Sequence, residues 1–278
     1  DEQLLEAMQQ RARAAVGHFK PQEVSNLFWA LEKMGIKTPD SALLEAMQER
    51  ARETARDFEP QGVSNLLQAF AKMGVTVNGD LLEAMQRQAR VRAGDFRAQG
   101  VANLMWALAV MGITPEASLL EALQRRAAST AGEFKTQEVS NLLWAHACFP
   151  AALNPASEAL MESMATQLFV KKDELTNLDM ENLHQFLLFF SLDPAWQKLP
   201  GQLPGKLPEM RKVEQELGGA FRTAFELDPW HNVAAQQGDV AKQLRESFPD
   251  FEIEEGFIDP ASGYNIDIRV WRKGEEKE

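Results

Sequence analysis

The chain has few of the features that mark disulfide-bonded or membrane-spanning proteins. Its 278 residues include a single cysteine, Cys148, which excludes an intrachain disulfide framework and favours a reducing compartment. No apolar run reaches the length that spans a membrane, and the longest candidate, 183–192, is interrupted by His184 and Gln185. We therefore expect a soluble protein.

The sequence also lacks an excess of basic residues and the usual catalytic motifs. The net charge of −12 argues against the broad positive field of a general nucleic-acid coat, so any nucleic-acid site must be local. There is no Gly-rich phosphate loop and no nucleophile elbow. The four histidines have no metal-ligand spacing with one another or with Cys148. We therefore predict no catalytic residue, no metal and no cofactor, and a chain that is not an enzyme.

One block of sequence recurs along the chain. Its clear copies read PQEVSNLFWALEKMG from Pro21, PQGVSNLLQAFAKMG from Pro60, AQGVANLMWALAVMG from Ala98 and TQEVSNLLWAHACFP from Thr136, and a fainter copy begins at Asn177. One asparagine is common to all five copies, at spacings of 39, 38, 38 and 41 residues: Asn26, Asn65, Asn103, Asn141 and Asn182. A period of this length is typical of solenoids built from helical hairpins.

A second block alternates with the first. Its copies are LLEAMQQRAR from Leu4, LLEAMQERAR from Leu43, LLEAMQRQAR from Leu81, LLEALQRRAA from Leu119 and a divergent LMESMATQLF from Leu160. Both blocks are rich in good helix formers and have room for about three to four helical turns. Each repeat therefore predicts a hairpin of a first and a second helix. Because Leu4–Arg13 is a second helix with no first helix before it, we expect the array to begin before Asp1.

The apolar residues of the first block follow helical spacing. Val24, Leu27, Phe28, Leu31 and Met34 lie on one helical face, whereas a strand would need alternation. A single hairpin cannot cover such faces, so neighbouring hairpins must stack. Glycines are expected to cap the first helices at Gly35, Gly74 and Gly112.

These patterns predict a mainly α protein. We expect an α-solenoid of about five helical hairpins over residues 1–192, with an incomplete first repeat. A linker rich in proline and glycine is predicted over 193–208, and a small α+β C-terminal module over 209–278. That module is predicted to have helices from Glu209 and Gln236 and strands from Phe251 and Tyr264.

The block NLFWALEKMG at 26–35 and its copies resemble octotricopeptide and heptatricopeptide repeats. The resemblance covers about residues 1–192 and implies arrays that bind single-stranded RNA in organelle gene expression, in a mitochondrion or a chloroplast. The C-terminal helix and hairpin resemble the opening of a RAP domain, whose core is nuclease-like. Because the EVDGP-like strand of that domain is missing, we expect Asp267, its candidate metal ligand, to be structural.

The first helices of stacked hairpins usually line the inner surface, where extended ligands bind. On a helical wheel one face of these helices carries amides, indoles and a few lysines. Amides can pair with base edges, and indoles can stack on bases. The RNA-binding residues predicted on this basis are Ser25, Asn26, Trp29, Lys33, Ser64, Asn65, Gln68, Lys72, Asn103, Trp106, Ser140, Asn141 and Trp144.

Structural interpretations compete with these assignments. Identical asparagines are expected to bond neighbouring helices, and the tryptophans to pack between repeats, because base-discriminating residues should vary from repeat to repeat. Variable positions such as Lys33 against Val110 are better candidates for selectivity. A stripe of arginines on the second helices can bind phosphate or can form a solvated outer face, and we favour the outer face. The stripe comprises Arg11, Arg13, Arg50, Arg52, Arg90 and Arg126.

The leading functional hypothesis is an organellar RNA-binding protein that matures, stabilises or helps to translate a transcript, or that holds ribosomal RNA. Its partners would be single-stranded or ribosomal RNA and the protein subunits of a large assembly, with no membrane insertion. The alternative is a scaffold subunit of an organellar ribosome or other complex, whose groove holds a peptide. Binding to RNA that weakens with salt discriminates the two hypotheses.

Overall fold

The computed structural model describes residues 2–149, 155–192, 208–226, 251–258 and 265–272. Most of these residues are helical, as predicted. The helices, numbered in chain order, are α1 (Glu2–Ala14), α2 (Pro21–Lys33), α3 (Ser41–Glu53), α4 (Pro60–Met73), α5 (Gly79–Val91), α6 (Ala98–Val110), α7 (Ala117–Ser129), α8 (Thr136–Ala147), α9 (Pro155–Val170), α10 (Asn177–Leu192) and α11 (Pro208–Glu226). Two strands follow, β1 (Phe251–Ile258) and β2 (Asn265–Arg272).

Glycines end the first helices, as the sequence predicts. Gly35, Gly74 and Gly112 have φ of 72°, 67° and 68°, a left-handed conformation that costs glycine little. The residue after each glycine donates a backbone hydrogen bond to the carbonyl five residues before it, as in Val75 N to Phe70 O at 2.9 Å. This bond pattern is a Schellman cap, which satisfies helix-end carbonyls and turns the chain back.

The even-numbered helices α2, α4, α6, α8 and α10 pack closely on one another in chain order and form one layer. Their apolar stripes meet between repeats: the Phe28 and Phe70 rings are both fully buried and lie 4.6 Å apart, edge to face. The odd-numbered helices α1 to α9 form the second layer, with looser contact between neighbours. The core therefore runs as one band between two layers of helices, as in a solenoid.

A short 3₁₀ turn follows each of the helices α1, α3, α5, α7 and α9, and a phenylalanine comes next in all but the last, which has Leu175. Phe58, Phe96 and Phe134 are fully buried, whereas Phe19 is half-buried. Their carbonyls are also used between repeats. The Arg126 Nε donates to Phe96 O at 2.6 Å, and the Gln88 amide donates to Phe58 O at 2.7 Å.

A glutamine at one position of α1, α3 and α5 links each of these helices to the next repeat. The Gln9 and Gln48 side-chain carbonyls accept from the backbone N–H groups of Asp40 (2.8 Å) and Asn78 (2.7 Å), which precede the following second helices. Because the accepted N–H belongs to a helix cap in the next repeat, the bond fixes the spacing of the hairpins.

The C-terminal prediction needs a correction. Helix α11, which was expected to open an α+β module, packs instead on α9 and α10. The Lys212 ammonium lies 4.6 Å from the centre of the Phe169 ring, and Met210 and Phe221 are buried. The apolar stripe of α11 packs on the adjacent helices of the array. The sequence pattern alone does not show which surface such a stripe will cover. The α+β module is therefore not supported.

The two strands form an antiparallel hairpin in which Phe251 lies opposite Arg272 and Ile258 lies opposite Asn265. The predicted linker residues 193–207, the predicted helix from Gln236 and the hairpin turn fall outside the described residues. The domain boundaries at 192 and 208 stay a prediction.

Candidate functional site

A long groove runs along the layer of first helices. It crosses α2, α4, α6, α8 and α10 and has a volume of about 1050 Å³. We call it the inner groove. Its polar and aromatic wall consists of amides (Asn26, Gln61, Asn65, Gln68, Gln99, Asn103, Gln137, Asn141 and Asn182), indoles (Trp29 and Trp106) and charged groups (Lys33, Glu59, Lys72, Asp95, Arg97 and Glu138).

The structure places ten of the thirteen predicted residues along the inner groove, and the exceptions are Ser25, Ser140 and Trp144. They come together because the same helical face recurs with each repeat and the first helices are adjacent. The groove is therefore a surface that repeats along the array.

The asparagine row divides into two parts. The Asn182 amide nitrogen donates to the Asn141 side-chain oxygen at 3.1 Å, which closes these two residues on each other. Asn26, Asn65 and Asn103, by contrast, make no side-chain hydrogen bond within the described part of the chain. The expected structural role therefore holds at the C-terminal end of the row, and the amides of the first three hairpins face the groove with free donors and acceptors.

The tryptophans differ in a similar way. Trp29 lines the groove and is 49% exposed, which is high for so large an apolar ring. Trp106 and Trp144 are half-buried and pack against the hydrophobic core. The Trp144 indole N–H also donates to the Gln185 side-chain oxygen at 2.7 Å. Packing between repeats thus accounts for Trp144, whereas about half of Trp29 is exposed in the groove.

The serines are not available to a ligand. Ser25, Ser64 and Ser140 are 2%, 1% and 0% exposed, and each hydroxyl donates to a carbonyl of its own helix. The physical reason is close helix packing. Gly62 and Gly100 of the next first helices bring the backbone against Ser25 and Ser64, so that an added Cβ would lie 3.6 Å from each hydroxyl. The Ser140 hydroxyl lies 2.8 Å from the carboxylate of buried Asp179 and 3.1 Å from Gln137 O, so Asp179 is the nearer of its two acceptors.

Few cations are free along the inner groove. Lys33 and Lys72 share one partner, Glu32, with nitrogen–oxygen distances of 3.3 Å and 3.8 Å. The Arg97 guanidinium has no ion pair among the described residues. Acids on the same rim are engaged, since Arg92 pairs with both Glu59 and Asp95 at 2.7 Å. The groove is therefore close to neutral.

Arg97 was missed by the sequence reasoning. It is the N-cap residue of α6, at the position held by Lys20, Glu59 and Lys135 in the other repeats. A variable and often basic residue stands immediately before each first block, and this pattern could have identified Arg97. Only the fold shows that this residue lies on the rim of the groove.

The arginine stripe has structural partners. Arg50 Nε donates to Phe19 O at 2.9 Å across repeats. Arg52 makes a bidentate pair with Glu49, and this hydrogen bond lowers the pKa of the Glu49 carboxyl and raises the pKa of the Arg52 guanidinium. These contacts favour the interpretation as an outer face, because a paired arginine is less available to phosphate.

Chemistry of other kinds has little support in the described residues. They contain no group of three potential metal-ligating side chains, and none of their helices is long and apolar enough to cross a membrane. Asp267 lies on β2. Burial lowers the pKa of the His146 imidazole to about 4 and raises the pKa of the half-buried Cys148 thiol. Both shifts keep these groups neutral at pH 7. The absence of catalysis stays a prediction.

Comparison with known proteins gives one finding. Among curated proteins, no sequence matches this chain. A model of the family described as the RNA-editing substrate-binding complex 6 protein, RESC6, matches residues 1–176. That range contains the first four repeats and most of the inner groove. On this match, the chain belongs to the RNA-editing substrate-binding complex 6 protein family.

Proposed function

We propose that this protein binds single-stranded RNA along the inner groove as a subunit of an RNA-editing assembly. The observation that carries the proposal is the row of open asparagine amides beside the exposed Trp29 ring. The family description, which names an RNA-editing substrate-binding complex, supports RNA and protein partners. An organellar location, in a mitochondrion or a chloroplast, is part of the proposal, and it rests on the resemblance to octotricopeptide repeats.

The groove suits bases better than phosphates. An amide presents one donor group and one acceptor oxygen, which can match the exposed edge of an unpaired base. An indole stacks on any base, at a gain of about 1–3 kcal/mol. Lys33, Lys72 and Arg97 are the cations along the groove. Since each phosphate contact in a single strand contributes about −0.7 to the slope of log K against log salt, we expect a slope no steeper than about −2.

The test is the binding of a fluorescein-labelled random-sequence RNA oligomer by fluorescence anisotropy over a range of salt concentrations. Measurable binding at low salt, with this shallow slope, is the expected result. Arg97→Ala should reduce the slope by about 0.7, because it removes one phosphate contact. The matched control is Arg87→Ala, because Arg87 lies on a second helix and pairs with Glu83. No RNA affinity at low salt would contradict the proposal.

Glu32 is expected to restrain RNA binding. Its carboxylate pairs with both groove lysines, and the next three repeats have Ala71, Ala109 and Ala147 at this position. Glu32→Ala frees two cations, so we expect RNA affinity to rise by about two- to fivefold at low salt and the salt slope to steepen. Anisotropy titrations at two salt concentrations measure both effects.

The control for this variant is Glu45→Ala, which makes the same charge change on the exposed surface of α3. If the two variants raised affinity equally, the gain would come from net charge and not from the groove lysines. An unchanged affinity in Glu32→Ala would show that Lys33 and Lys72 do not contact RNA.

A peptide-binding scaffold is the second candidate. The net charge of −12 favours it, since an acidic protein is better suited to a basic peptide than to a phosphate backbone. Failure to bind RNA combined with capture of a basic peptide by the groove would support this candidate. We also propose that the chain is not an enzyme. Metal-dependent RNA cleavage that is lost in Asp267→Ala would overturn that view.

A further inference from the structure

The two ends of the inner groove are chemically different, although their sequence repeats are alike. In the first three hairpins, Asn26, Asn65 and Asn103 have no side-chain hydrogen bond within the described residues. In the last two, the equivalent residues Asn141 and Asn182 bond each other at 3.1 Å. The asparagine amides therefore have free hydrogen-bond donors and acceptors at one end of the groove and are partly hydrogen-bonded at the other.

Two further bonds close the same end. The Trp144 indole N–H donates to Gln185 at 2.7 Å, and the Ser140 hydroxyl donates to Asp179 at 2.8 Å. Asp179 is fully buried, at the position that Gly62 and Gly100 occupy in earlier repeats. Helices α8 and α10 are thus joined by three side-chain bonds from corresponding faces. A ligand would have to break these bonds to use the same groups, which costs free energy.

We infer that the base-reading part of the groove is limited to the first three hairpins, and that α8 and α10 form a closed structural end. This inference rests on the proposed RNA-binding function. In some classes of RNA-binding helical-repeat protein each repeat reads one base. With the same ratio, the footprint that contacts bases directly is a single-stranded segment of about three nucleotides. The amides of Asn26, Asn65 and Asn103 contact these bases, and the Trp29 ring stacks at the first of them.

Paired substitutions test the limit. Asn65→Ala and Asn103→Ala remove open amides, and each should weaken binding of the labelled random-sequence RNA oligomer by at least about fivefold, since a good amide–base pair discriminates by that amount or more. Asn141→Ala and Asn182→Ala remove the closed pair, and each should change affinity by less than about twofold while lowering the melting temperature. Circular dichroism measures the melting temperatures and confirms that each variant is helical.

A length series gives a second measurement that needs no variant. The affinity for oligouridylates of increasing length should stop rising at about three to four nucleotides. Equal losses in all four asparagine variants, or an affinity that keeps rising to lengths that cover five repeats, would overturn the limit while leaving RNA binding intact. Absence of RNA binding by the unmodified protein would instead defeat the proposed function, and the inference with it.

Discussion

Trp29→Ala is expected to weaken single-stranded RNA binding by about five- to 150-fold, which corresponds to the 1–3 kcal/mol of one base stacked on an aromatic ring. The ring is 49% exposed in the inner groove, so its removal exposes little core and should leave the melting temperature nearly unchanged. Fluorescence anisotropy with labelled RNA measures the affinity, and circular dichroism measures the stability.

The control is a tryptophan at the equivalent position of a later repeat. Trp144 packs against the core and bonds Gln185, so Trp144→Ala should lower stability and have less effect on RNA affinity than Trp29→Ala. The pair separates a stacking platform from a packing residue. If Trp29→Ala bound RNA as tightly as the unmodified protein, the exposed indole would have no part in binding.

Phe70→Ala is expected to lower the free energy of unfolding by about 3–5 kcal/mol, the usual cost of removing a buried phenylalanine. Phe70 is fully buried and meets the Phe28 ring edge to face at 4.6 Å, a geometry that adds about 0.5–1.5 kcal/mol. Because each hairpin of a solenoid is stabilised mainly by its neighbours, the loss should release α2 before the later repeats. Urea unfolding and hydrogen exchange resolved by peptide measure the two effects.

Phe70→Leu is the matched control. Leucine occupies this position in three other repeats, as Leu31, Leu108 and Leu187, so the site accepts its shape and the loss should be roughly half or less of that in Phe70→Ala. Equal destabilisation of all repeats in Phe70→Ala would show that the array unfolds as one unit. An effect below about 1 kcal/mol would contradict the close packing between α2 and α4.

Much of the fold could be predicted from the sequence repeat. Each helix of the array lies where its block predicts, and Gly35, Gly74 and Gly112 adopt the expected left-handed caps. These features are local, since they depend on spacing and on single-residue conformational preferences. The packing of α11 could not be predicted from the sequence, because an amphipathic helix has the same pattern whether it begins a new domain or extends an existing layer.

The candidate site was predictable as a face but not residue by residue. Serine and asparagine are neighbours in the same block, as Ser25 and Asn26, yet Ser25 is buried against the next helix and Asn26 is exposed in the groove. Successive residues of a helix point about 100° apart, so Ser25 and Asn26 face different directions. A helical wheel drawn without the neighbouring helix cannot show where the buried face ends. Arg97 was not predicted for a related reason. It precedes α6, so a helical wheel of that helix does not include it.

By itself the sequence determined the period, because the blocks recur every 38 to 41 residues. It also determined the two helices of each repeat and the caps, because these follow from residue spacing and backbone preference within each block. Only the tertiary structure decided which copies of a repeated residue form side-chain hydrogen bonds with another helix. Asn65 and Asn141 have nearly the same neighbours in sequence, but Asn141 meets a partner in Asn182 across helices. A hydrogen bond between repeats depends on the distance and direction of two side chains from different helices, and that information exists only once the helices have packed.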